Sequence, residues 1–141
     1  MRHYVDTAVI VAALTVEPGT TKAQAWIAAQ PSGELLISDW VIAEFSSALS
    51  IKLRTGQIDT QRRTAGLAAF NRFCSTKFAV LPVTSAHFRT AAIFADHHAL
   101  GLRAGDALHL AIASEQGATL CSFDRRLIDA GPALAIPTVT P

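Results

Sequence analysis

Residues 105–124 read GDALHLAIASEQGATLCSFD, and this stretch decides the class of fold. Asp106 heads a block to Ala113 that is nearly all apolar, and a helix of that character must be buried. Gly117 ends it. Thr119-Leu120-Cys121 then reads as a short buried strand, followed at once by Ser122-Phe123-Asp124 and a short helix. Buried helix, short apolar strand and second helix form the repeating unit of a parallel sheet covered on both faces.

The same alternation runs outward from this stretch. Upstream, His3-Tyr4-Val5 is a strand ending at Asp6, and Thr7 is placed to cap a helix through Leu14. Pro18-Gly19 is a turn, Thr20 or Thr21 caps a second helix to about Gln30, and Pro31-Ser32-Gly33 breaks it. Leu35-Leu36-Ile37 is a strand, and Asp39 caps a helix from Trp40 to Arg54. A helix after Asp59 runs to about Cys74, Ala79 to Val83 is the third strand, and Thr84 starts a helix to about Leu100. Downstream, Ala135 to Val139 is the last strand. The expectation is an α/β fold with a mostly parallel sheet, read as a single domain over residues 1–141 because no repeat or linker interrupts it. Ligands in such sheets bind beyond the carboxyl ends of the strands.

Composition narrows the class further. Half of the 141 residues are hydrophobic and the mean hydropathy is +0.32, which is ample material for a core. Cys74 and Cys121 stand far apart with no CxxC or His/Cys spacing, so a zinc motif and a disulfide framework are both unsupported; they read as buried thiols in a reducing compartment. The apolar run Ala8 to Leu14 is preceded by Asp6 and followed by Glu17 and Pro18 without a cleavage site, so it does not read as a secretory signal. No stretch approaches the roughly 20 apolar residues of a membrane span, and a cytoplasmic location is expected. Charge is uneven. Lys52, Arg54, Arg62, Arg63, Arg72 and Lys77 fall in one segment against Asp59 alone, while the rest of the chain is acidic. A basic segment beside an acidic body fits either an anionic partner or a solvated helix face.

Four acids occupy positions that ordinary structure explains poorly when taken together. Asp6 and Asp124 each follow a strand at its carboxyl end, so parallel strands bring them to one sheet edge. Glu44 lies in an uncharged run, on a helical stripe with Val41, Ala48 and Ile51. A carboxylate in such a stripe costs several kcal/mol (~2 or more) unless paired or metal-bound. Asp106 lies in the first turn of its helix, where the dipole favours negative charge. The plainer alternatives are helix capping for the three aspartates and a buried arginine pair for Glu44. Yet carboxylates ~4 Å apart repel by roughly 4 kcal/mol at an effective dielectric of about 20, so convergence of all four requires protonation or a bound cation. Hard oxygen donors suit Mg²⁺ or Mn²⁺.

Tyr4-Val5-Asp6-Thr7, Val41-Ile42-Ala43-Glu44, Leu102-Arg103-Ala104-Gly105-Asp106-Ala107-Leu108-His109-Leu110-Ala111 and Ser122-Phe123-Asp124-Arg125-Arg126-Leu127 together resemble the PIN-domain superfamily, and within it the VapC toxins of toxin–antitoxin pairs. Each motif is weak alone; the ordered set spans nearly the whole chain. The resemblance implies a three-layer α/β/α PIN-like fold and a Mg²⁺- or Mn²⁺-dependent endoribonuclease, usually a homodimer, with a VapB-like antitoxin as partner and RNA as substrate. Carried over position by position, Asp6 and Asp106 match the principal metal-binding aspartates, Glu44 and Asp124 the other two acids, and Ser122 the hydroxyl residue ahead of the last of them, which the resemblance implies as a catalytic residue helping to hold water or metal. Arg103, Arg125 and Arg126 border the acids, and RNA phosphate contact stands beside surface or internal pairing as their reading. His109, one turn after Asp106, invites a role as general base, but packing near the site is the preferred reading; His97-His98 reads as a surface pair, and Trp26 and Trp40 as core or dimer packing.

Other α/β classes fit less well. A phosphoacceptor receiver domain needs an early acidic pair and a late lysine; Asp6 has no acidic neighbour and the last lysine is Lys77. A dehalogenase-type phosphatase needs a second Asp where Ala8 stands, and neither GxGxxG nor GxSxG occurs. The remaining alternatives share the fold: a PIN-like binding module without turnover, or a solitary RNA-processing nuclease.

Overall fold

The computed structural model describes residues 1–141. Elements follow in the order β1 (His3–Val5), α1 (Thr7–Leu14), α2 (Thr20–Ala29), β2 (Leu35–Ser38), α3 (Asp39–Arg54), α4 (Thr60–Thr76), β3 (Phe78–Leu81), α5 (Ser85–Asp96), a single 3₁₀ turn, α6 (Ala104–Glu115), β4 (Thr119–Cys121), α7 (Arg125–Ala133) and β5 (Thr138–Val139). The five strands form one sheet in the order β3-β2-β1-β4-β5, and every pairing is parallel. Helices α1 to α4 pack among themselves, as do α5, α6 and α7. With right-handed crossovers these two groups cover opposite faces of the sheet.

Burial explains the short strands. Tyr4, Val5, Leu35, Ile37, Leu120 and Cys121 are fully buried, as expected where helices cover both faces. The helix that dominates the sequence, α6, buries every residue from Ala107 to Ala113. On the other face Val41, Phe45 and Leu49 of α3 are fully buried, and Phe45 stacks on Phe70 of α4 with ring centroids 4.3 Å apart. That contact corrects the stripe assigned to α3. The core-facing row is Val41-Phe45-Leu49, whereas Glu44, Ala48 and Ile51 lie along a solvent cleft, with Ile51 44% exposed.

Caps and edges differ from expectation in instructive ways. Helix α1 begins at Thr7 with Asp6 at the cap position, but the Asp6 side chain makes no capping bond. Helix α3 is capped by Ser38, not Asp39: the Ser38 hydroxyl accepts the Val41 N–H at 3.4 Å. Gly19 stands at the cap of α2, and Thr20 instead donates its hydroxyl to the Ala12 carbonyl at 2.7 Å, tying α2 to α1. The third strand starts one residue early and stops at Leu81. The last strand keeps only Thr138–Val139, because Ala135 takes φ +59° and turns the chain under α7. There the Ile136 carbonyl lies where a Cβ on Gly131 would come within 2.8 Å of it, so only glycine fits.

The topology sets the site. β1 and β4 are neighbours in register, Val5 opposite Cys121, and the Asp6 N–H donates to the Cys121 carbonyl at 3.0 Å. Strand order reverses here, so the loops after β1 and β4 diverge and leave a crevice between them. Asp6 stands at its floor, bonded to the buried Ser122 hydroxyl.

Candidate metal centre

A cleft of about 860 Å³ opens above this switch point, and Asp6, Glu44, Asp106 and Asp124 all line it. Four separate elements bring them there: the end of β1, the middle of α3, the first turn of α6 and the loop after β4. None of the four pairs with a lysine or arginine, since the chain's Lys and Arg ion pairs are Lys52–Glu17 and Arg125–Asp129. The arginine partner considered for Glu44 does not exist.

The acids divide into two pairs. Asp6 is 7% exposed, and its Oδ2 accepts the Ser122 hydroxyl at 2.8 Å. Ser122 is itself fully buried and also accepts the Asp124 N–H at 2.9 Å, so it fixes the strand-to-helix turn and orients Asp6; it does not line the cleft. Half-buried Glu44 accepts the Thr7 hydroxyl at 2.7 Å and lies 2.5 Å from His109 Nε2. His109 is 2% exposed and also faces Asp6, with Nε2 3.5 Å from Oδ1. Behind it, His109 Nδ1 meets the Tyr4 hydroxyl at 2.8 Å, which meets the Ser38 hydroxyl at 2.8 Å. One ligand atom each from Asp6, Glu44 and His109 fall within 4.8 Å of one another.

Asp106 and Asp124 sit farther out, and each also serves its own helix. Asp106 Oδ2 accepts the Arg103 N–H at 3.3 Å, and Asp124 Oδ1 accepts the Arg126 N–H at 2.9 Å. Capping and cleft lining therefore coexist in these residues. The three arginines do not line the cleft: Arg103, Arg125 and Arg126 are exposed, and Arg125 pairs with Asp129 at 3.2 Å. Besides His109, Lys52 is the one basic residue in the lining and Trp40 the one aromatic residue.

Electrostatics separates the inner groups. Burial raises Asp6, and the Glu44 charge adds to this against the lowering by His109 and Ser122; the net shift is upward. Burial also raises Glu44, but its hydrogen bond to His109, the His109 charge and the Thr7 hydroxyl outweigh it and leave Glu44 lowered. Burial pulls His109 down, yet the bond to Glu44 and the charges of Asp6, Glu44 and Asp106 hold it above its ordinary value. Glu44 and His109 therefore form an ion pair, with Asp6 strained beside it. A lone imidazolium does not balance four carboxylates. The donor set of hard carboxylate oxygens, open to a cleft and free of lysine or arginine pairing, fits a divalent cation.

Sequence reasoning missed Thr7, Tyr4 and Ser38, and placed His109 as packing. His109 is indeed packed, but its Nε2 faces the acids. The available signal was spacing: positions 106 and 109 share one face of a helix.

The family model for the PIN domain matches residues 3–131. No curated protein matches the sequence. Among solved structures, the chain is similar to VapC20 of Mycobacterium tuberculosis, a sarcin–ricin loop cleaving toxin, at 22% identity and TM-score 0.73, covering 92% of this chain and 95% of that one. It is also similar to VapBC2 of Rickettsia felis bound to a promoter DNA fragment, at 16% identity and TM-score 0.70, with 99% and 98% covered. FitAcB of Neisseria gonorrhoeae is similar at 18% identity and TM-score 0.71, with 96% and 95% covered.

Proposed function

Because this chain belongs to the PIN domain family, we propose that it is a Mg²⁺-dependent endoribonuclease, with Mn²⁺ as a substitute, and the toxin of a toxin–antitoxin pair. The observation that carries the reading is the convergence of Asp6, Glu44, Asp106 and Asp124 on one cleft without a lysine or arginine to neutralise them.

In this reading the four carboxylates hold the cation. When bound, a divalent ion neutralises phosphodiester charge and lowers the pKa of a coordinated water. Asp6 is oriented for its part by Ser122, and Glu44 by Thr7 and His109. Lys52, paired with Glu17, also lines the cleft, where its ammonium suits a backbone phosphate of RNA. Arg103, Arg125 and Arg126 lie outside the cleft on the exposed surface and fit a longer substrate's flanking phosphates. An RNA substrate and a VapB-like antitoxin are supported by the similar structures, which include a sarcin–ricin loop cleaving toxin and toxin–antitoxin complexes. A homodimer acting as one PIN domain per chain in the cytoplasm completes the reading; no helix is long and apolar enough to cross a membrane.

The test is cleavage of RNA by the purified chain with Mg²⁺ or Mn²⁺. Activity is expected to vanish in EDTA and in Asp6→Asn, and EDTA-resistant cleavage would overturn the reading. A second reading has its own support: Asp106 and Asp124 cap their helices, so both could be kept for structure in a module that binds RNA without cutting it. Metal-independent RNA binding with no turnover would favour that module.

A further inference from the structure

We propose that His109 is itself a ligand of the cation: its Nε2, with a carboxylate oxygen from each of Asp6 and Glu44, makes a mixed nitrogen–oxygen donor set that prefers a first-row transition ion such as Mn²⁺ or Co²⁺ over Mg²⁺. The inference rests on the metal-nuclease reading above and reverses the order of its two cations, with Mn²⁺ ahead of Mg²⁺.

Geometry is the first argument. The three donor atoms lie within 4.8 Å of one another, and the imidazole is 2% exposed with Nε2 directed at both carboxylates. No other group of the chain bonds to that nitrogen; Nδ1 alone faces the interior.

The second argument is how the ring is held. A ligating histidine nearly always donates its other N–H to a partner, which fixes ring and tautomer. Here that partner is the Tyr4 hydroxyl at 2.8 Å, backed by Ser38 at 2.8 Å, and Tyr4 and Ser38 are both fully buried. This hydroxyl chain is reversible without moving a heavy atom. With Nδ1–H donating to Tyr4 and Tyr4 donating to Ser38, Nε2 presents a lone pair to the cleft. A bound cation would replace the Nε2–H bond to Glu44, and the displaced proton would pass to water. Half-buried Glu44, on the cleft wall, has room to open the spacing that a cation needs.

The third argument is donor chemistry. Mg²⁺ demands oxygen and dehydrates reluctantly, whereas imidazole nitrogen binds first-row ions in rising order from Mn²⁺. An all-carboxylate site discriminates little between Mg²⁺ and Mn²⁺. One buried nitrogen donor tilts it.

The experiment is calorimetric titration of the full chain with Mn²⁺ alone and Mg²⁺ alone, in wild type, His109→Gln and Asp6→Asn. Mn²⁺ is expected to bind wild type more tightly than Mg²⁺, and His109→Gln to lose about tenfold or more for Mn²⁺ but under ~3-fold for Mg²⁺. Electron spin-echo modulation of Mn²⁺-loaded wild type reads the ligand directly, whether or not the variant folds: an imidazole nitrogen signal is expected. Absence of that signal, or equal losses for both ions in His109→Gln, overturns the proposal. Failure of the underlying reading looks different: Asp6→Asn would then bind both ions as wild type does.

Discussion

The two halves of the acidic cleft are built on opposite terms. Asp6 and Glu44 form the inner half, packed against His109 and held by Ser122 and Thr7, with Asp6 only 7% exposed. Asp106 and Asp124 form the outer half, nearer to solvent, each bonded to a backbone N–H of its own helix. Outer acids help the fold they sit in. Asp6 works against it: burial raises Asp6, and its neighbour Glu44 repels it, while Glu44 itself is favoured by His109 and Thr7. Where a carboxylate harms the fold, binding is the better account of its presence.

The largest expected effect tests this contrast through catalysis. Asp6→Asn should lower metal-dependent RNA cleavage by about 100-fold or more, as loss of a group at the reacting centre does. Asp124→Asn keeps a capping side chain and should cost about 10-fold or less under the same single-turnover conditions. Equal losses would erase the distinction between the halves.

Stability should move the opposite way. In EDTA at pH 8, Asp6→Asn is expected to hold or raise the urea midpoint, a gain of up to about 1 kcal/mol from relieving a buried charge. Asp124→Ala should lower it by about 1 kcal/mol through the lost cap. A destabilised Asp6→Asn would mean that the inner half is built for structure.

The smallest effect sharpens the role of His109. Its folded pKa lies above the ordinary 6.5, so its proton stabilises the fold fully below about pH 6.5, and that contribution fades as pH rises through the folded value. Asp6, also raised, acts in the same sense from 3.8 upward; Glu44, lowered from 4.5, gives stability above that value and loses it as pH falls through its folded one. Metal-free wild type should therefore lose melting temperature from about pH 6.5 upward. His109→Gln should flatten that slope. An unchanged slope would assign it to another group.

Much of the fold was legible because its signals are local. The apolar block from Ala107 to Ala113, Gly117, and the strand Thr119–Cys121 with its downstream acid read as they stand. Junctions between elements were less so. Ser38 and Asp39 are both good caps, and the choice depends on where β2 ends, which Tyr4 and the sheet decide. β5 shrank because Ala135 turns and Gly131 meets the returning backbone, a contact no pattern announces. The acids could be singled out one by one, since each stands at a strand end, in a helix start or in an uncharged run. Their partners could not. Tyr4, Thr7 and His109 meet Ser38 and Glu44 only through contacts 34 to 105 residues apart in sequence.

The pairing of β1 with β4 joins His3 to Thr119 and Val5 to Cys121, near opposite ends of the chain. A ribosome making this protein releases Asp6 early and α6 and β4 late, so the first strand waits beside an empty sheet position through most of synthesis. A half-made chain thus lacks Asp106, His109 and Asp124, and the acidic cleft stays incomplete until the polypeptide is nearly finished.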